Sequence, residues 1–124
     1  MRVQRVYHDE QGESHVEIID WEMTSEIAAA GSPSIDISQT FASSKVNVMR
    51  APGGWQGDWH PAPNRQLMCY LSGQAERETS DGVTMTMRSG TIVLLEDTEG
   101  KGHRSRVLGD EEVIIAVVQL EPNK

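Results

Sequence analysis

Gln66–Leu95 reads QLMCYLSGQAERETSDGVTMTMRSGTIVLL, and its punctuation decides the fold. The apolar run Gln66–Leu71 ends at Ser72-Gly73, and Gln74–Thr79 returns across that turn. Asp81-Gly82 is a strong hairpin signal, because a two-residue hairpin turn needs residues that tolerate positive φ. Val83–Met87 alternates Val and Met with Thr, and Ser89-Gly90 leads into the β-rich run Thr91–Leu95. Short apolar or alternating runs bounded by glycine describe strands joined by tight turns.

The pattern continues on both sides. Toward the C-terminus, Glu96–Gly102 (EDTEGKG) is a polar turn and His103–Leu108 a strand. Gly109-Asp110 turns again before Val113–Leu120, a last and largely buried strand. Toward the N-terminus, Ala51–Asn64 holds three Pro and three Gly and reads as a loop carrying Trp55 and Trp59. Lys45–Arg50 alternates, with Val46 and Val48 on one face and Asn47 and Met49 on the other. Ala28–Thr40 is rich in Gly, Ser and Pro and is expected to run over the surface. Residues 1–8 form a first strand, Gln11-Gly12-Glu13 a turn and Val16–Ile19 a second strand. The best helix candidate is Trp21–Ala30 (WEMTSEIAAA), closed by Gly31 and followed by Pro33, either a turn or two or a loop with a helical start. Nine or ten short strands with almost no helix predict a β-sandwich or barrel. At 124 residues, with no internal repeat, the chain is expected to be a single domain over 1–124.

Charge narrows the partners. A formal net charge of −8 repels phosphate backbones, and no Lys/Arg cluster offsets it. Nucleic acid and anionic membranes are therefore not expected as partners, and Arg104 and Arg106 read as a solvated pair. The single cysteine, Cys69, rules out an intrachain disulfide and fits a reducing cytoplasm. Within LMCYL it reads as a small core residue. The N-terminus lacks the apolar stretch of a signal peptide, and the longest apolar run, Val113–Val118, is too short to span a bilayer. A soluble cytoplasmic protein is expected.

Residues 54–103 carry a resemblance. Gly54 is followed by five residues and His60; Ala62 stands two further on, then Gln66, and six residues later Gly73. Gly82 is followed by five residues, Arg88-Ser89-Gly90 and then His103. This arrangement resembles the two motifs of the cupin superfamily, spanning 54–73 and 82–103, with Arg88 in place of Pro and His103 two residues late. Trp59–Gln66 (WHPAPNRQ) and Leu94–His103 (LLEDTEGKGH) look like a group of small bacterial cupins. The resemblance implies an all-β double-stranded β-helix, a jelly-roll cupin barrel of two antiparallel sheets, often a homodimer. Strand 1–8 is then a candidate for pairing with a neighbour.

The resemblance also implies chemistry. Metal-binding cupins hold a divalent ion with three His and a Glu, a donor set that suits iron, manganese, nickel or zinc. Here His60, Gln66 and His103 remain as candidate ligands, Ala62 cannot coordinate, and Gln66 has no charge. Glu76, Glu96 or Asp97 would have to supply an anionic third ligand. Metal-free epimerases of the superfamily use a His–Asp pair and a Tyr, which points to His103, Asp97 and Tyr70, with His60 as a second catalytic candidate. Strand parity places Gln66, Met68 and Tyr70 on one face. Candidate ligand-binding residues are Gln66, Trp59, Arg65 and Asp97, with Trp55 covering the barrel mouth and Lys101 a further anion-binding candidate. His8 and His15 read as surface residues, and Met49, Met68, Met85 and Met87 as core filler. The expected function is binding, and by one reading isomerisation, epimerisation, lyase action or metal-assisted oxidation, of a small polar molecule. The alternative is a non-catalytic binder with a degenerate metal site.

Overall fold

A computed structural model describes residues 1–122 and contains eleven strands and no helix among them. They are β1 (Arg2–His8), β2 (Ser14–Asp20), β3 (Thr24–Glu26), β4 (Ile35–Ile37), β5 (Ser43–Ala51), β6 (Gln66–Ser72), β7 (Gln74–Thr79), β8 (Thr84–Arg88), β9 (Ile92–Leu95), β10 (His103–Val107) and β11 (Val113–Leu120). The larger sheet has the order β2-β1-β9-β6-β11-β5 and the smaller β10-β7-β8. Isolated bridges Gln56↔Arg106 and His60↔His103 lay the loop before β6 along β10, extending the smaller sheet. The two sheets face each other as the expected all-β jelly roll. All pairings are antiparallel except β1 with β9, which run parallel.

Alternation explains which side chains face inward. In β11, Val113, Ile115 and Val117 are buried between less buried neighbours, and each contributes about 2 kcal/mol by leaving water. In β7 the buried positions are Ala75, Arg77 and Thr79, while Glu76 and Glu78 face the other side. The inner cluster adds Val6, Met68, Tyr70, Met87, Val93, Leu95 and Val107 from both sheets. A second cluster lies on the outer face of the larger sheet, where Val3, Leu94 and Leu120 pack against Trp21, with Phe41 beside it at 5.2 Å between ring centroids.

Three expectations are corrected. Trp21–Ala30 forms no helix; its Thr24–Glu26 pairs with Ile35–Ile37 as a small separate hairpin. The segment follows Trp21 and Phe41 onto the outer face instead of following the helix propensity of Ala28–Ala30, which stay exposed. Strand 1–8 cannot pair with a neighbouring molecule, because β2 and β9 occupy its two edges; the free edges of that sheet belong to β2 and β5. Of the four methionines expected as core filler, Met68 and Met87 are buried, but Met85 is half-buried and Met49, on edge strand β5, is exposed.

Candidate active site

The space between the sheets is a cavity of about 610 Å³ whose lining includes His60, Gln66, Tyr70 and His103. Backbone pairing sets the two histidines side by side. His60 N–H donates to the His103 carbonyl and His103 N–H to the His60 carbonyl, both at 3.0 Å, and the ring centroids stand 4.9 Å apart. Gly102 permits this approach. Its φ is +74°, and a Cβ there would lie 2.1 Å from the His60 carbonyl.

His103 is 4% exposed, and its Nδ1–H donates to Asp97 Oδ2 at 2.7 Å. Asp97 is fully buried behind the ring, outside the cavity lining, so it holds the imidazole without meeting a ligand. Its Oδ1 has no hydrogen-bond partner among the described residues. The bond to Nδ1 fixes the tautomer and leaves Nε2 with its lone pair. Asp97 by itself would raise the His103 pKa, but the net shift is downward. Burial pushes it down most, Arg77 and His60 add to that, and the opposing pull of Asp97 does not compensate. The neutral form of His103 is therefore favoured more than in an ordinary histidine, with Nε2 able to take a proton.

His60 Nδ1–H donates to the Pro61 carbonyl at 2.9 Å, so this ring too leaves Nε2 open. Tyr70 is buried, and its Oη accepts a hydrogen bond from Arg77 Nη2 at 3.0 Å, keeping its own proton for another acceptor. Trp55 lies on the cavity border at 43% exposure, as a residue at the mouth should.

Other candidates fall elsewhere. Trp59 is 41% exposed and absent from the cavity lining, with the Arg104 guanidinium 5.0 Å over its ring. Arg65 is also outside the lining. Its Nε donates to Glu96 Oε2 at 2.6 Å, and Arg5 Nε donates to the other oxygen at 2.6 Å. Burial alone would raise the Glu96 pKa, but the two guanidinium partners together hold it below the usual carboxylate range. Lys101 pairs with Glu13 at 2.6 Å. His15 bridges Asp9 at 2.7 Å and Asp81 at 3.0 Å on the surface, and His8 lies 3.6 Å from Glu99.

The donors do not make up a metal site. His60 and His103 each present Nε2, and Gln66 adds an amide, but no anionic third ligand joins them. Glu76 pairs with Arg106, Glu96 with Arg5 and Arg65, and Asp97 with His103 Nδ1. Among the described residues, no group of three or more His, Cys, Asp and Glu stands close enough to hold a metal ion. Two imidazoles and an amide fall short of the three or four good ligands such sites use.

Arg77 escaped the sequence reading. It is 3% exposed and lines the cavity. Its signal was parity: in QAERET it shares a face with Ala75, while Glu76 and Glu78 share the other.

Among the described residues, no helix is long and apolar enough to cross a membrane. No protein-family profile and no curated protein matches the sequence. Solved structures similar to this chain include a cupin domain from Bordetella pertussis Tohama I, 19% identical, covering 82% of this chain and 94% of that one, with a TM-score of 0.49. The cupin domain of Schizosaccharomyces pombe Cnp3 is 13% identical and covers 97% and 88%, with a TM-score of 0.49. The Neisseria meningitidis protein NMB1881 is 17% identical and covers 82% and 84%, with a TM-score of 0.46.

Proposed function

We propose that this small cupin-like barrel binds a small polar metabolite and moves a proton on it, with His103 as general base. The observation that carries this reading is the buried His103–Asp97 pair, with His103 on the cavity wall, Asp97 behind it and Nε2 the nitrogen left open. A neutral imidazole of fixed tautomer, held below its ordinary pKa, accepts a proton at neutral pH without first losing one. Tyr70 is the second proton-bearing group, His60 stands beside His103, and Gln66 lines the same cavity from the larger sheet. Proton removal and return at carbon supports isomerisation or epimerisation, and removal followed by loss of a neighbouring group supports lyase action.

The test is carbon-bound proton exchange in D2O, followed by proton NMR, on small carbonyl compounds, both neutral (glyceraldehyde, dihydroxyacetone, lactaldehyde) and carboxylated (pyruvate, phenylpyruvate). Wild-type protein should exchange at least one of them well above the buffer rate, and His103→Gln should return that rate to background. Binding without exchange across such compounds would leave a passive binder and end the catalytic reading.

A further inference from the structure

The chain has 19 Asp and Glu against 11 Lys and Arg, yet among the described residues no carboxylate lines the cavity, while Lys45, Arg50, Arg77 and Arg106 do. Two of the four are paired away from the lining, Arg50 with Glu112 at 3.3 Å and Arg106 with Glu76 at 3.1 Å. Arg77 is not. Its hydrogen-bond partners are the Tyr70 hydroxyl at 3.0 Å and two thioethers, Met68 Sδ at 3.5 Å and Met87 Sδ at 3.7 Å, and its Nε is buried without a partner. A buried guanidinium is held in proteins by anions, and thioether sulfur is a weak acceptor.

We propose that Arg77, with the Tyr70 hydroxyl, is the docking point for the carboxylate of a small monocarboxylate substrate with an apolar body. This rests on the acid–base reading of the same cavity and names its substrate class. The match is one of charge and shape. One buried cation offsets one negative charge; a phosphate dianion would bring a second charge into a wall built from Met68, Leu95, Val107, Val113, Ile115 and Val117. Those side chains suit a hydrocarbon body. Arg77 pairs with Ser105 and His103 with Thr79 across β7 and β10, so the two face the cavity as diagonal neighbours on adjacent strands. Such neighbours stand roughly 7–8 Å apart at the backbone, close enough for one small substrate to meet both side chains. The cationic lining also draws anions into a molecule whose net charge would otherwise repel them.

The experiment is calorimetric titration with hexanoate, benzoate and phenylpyruvate, beside hexanamide and benzamide, on wild type and the variants Arg77→Met, Arg77→Lys and Arg104→Gln. At least one carboxylate should bind wild type, with its amide about tenfold weaker or more. Arg77→Met should lose about tenfold or more, Arg77→Lys should keep part of the affinity, and Arg104→Gln, outside the cavity, should stay within about threefold of wild type. Equal binding of acid and amide, no carboxylate binding, or unchanged affinity in Arg77→Met would each overturn the proposal. The acid-against-amide comparison stands on wild type alone if Arg77→Met does not fold. Arg77-dependent phenylpyruvate binding without exchange of its CH2 protons keeps this site and removes catalysis on that substrate. Exchange on a neutral carbonyl compound without acid-over-amide preference keeps the general base and removes this site.

Discussion

Arg65 and Arg77 are the same side chain in opposite predicaments. Arg65 sits at the rim and shares Glu96 with Arg5, so its charge is matched where water still reaches. Arg77 sits inside the barrel with a phenol and two thioethers. The rim arrangement is built for stability. An unmatched cation in the interior lowers stability, and a protein keeps such a group where a ligand will complete it. Glu96 and Asp97 differ in the same way: the first is held by two arginines, while the second has one imidazole partner and an unsatisfied oxygen.

The comparison yields graded predictions. Asp97→Ala removes a buried partner from His103 and leaves a small cavity, and urea unfolding followed by tryptophan fluorescence should show a loss of about 3 kcal/mol. Arg77→Met should move the other way, raising the stability of the ligand-free protein by about 2 kcal/mol, because an apolar side chain of similar length replaces an unmatched charge. A destabilised Arg77→Met would mean that the guanidinium is well satisfied where it stands. Arg65→Met should cost about 1 kcal/mol, since Glu96 keeps Arg5.

The smallest effect is electrostatic and site-resolved. By NMR the His103 imidazole should titrate below an ordinary histidine, and in Arg77→Met its midpoint should rise, because Arg77 is one of the groups holding it down. The linkage has a definite sign. A histidine depressed in the folded state leaves stability untouched above the unfolded value of about 6.5 and removes stability as pH falls below it. His15, raised chiefly by its bond to Asp9, acts oppositely, adding stability at low pH that is lost as pH rises through its folded-state value. In a His15→Gln background the acid loss from His103 should therefore stand out, and it should shrink when Arg77→Met is added.

The strands from Gln66 onward were legible because their signals are local: Ser72-Gly73, Asp81-Gly82, Ser89-Gly90 and Gly109-Asp110 punctuate the chain wherever it folds back. The hairpin of β3 and β4 was not legible, since it depends on Trp21 and Phe41 lying on the outer sheet face, a packing fact with no local pattern. The same division runs through the site. Motif spacing brought forward His60, Gln66 and His103, which do stand round one cavity. Trp59 and Arg65 sit beside them in sequence, but Trp59 meets Arg104 and Arg65 meets Glu96, both outside the lining. Parity exposed the direction of Arg77 but not its lack of a carboxylate, which depends on every strand that surrounds it.

The last strand, β11, lies between β6 and β5, one strand in from an edge of the larger sheet, and its Val113, Ile115 and Val117 fill the interior. A chain emerging from the ribosome therefore holds β5 and β6 with nothing to join them until residues 113–120 are free. Pairings this distant in sequence form slowly. Until then two sheet edges and an apolar wall stay open to other chains. Folding in the cell thereby waits for residues 113–120, and a nascent chain arrested before Val113 should remain sensitive to protease.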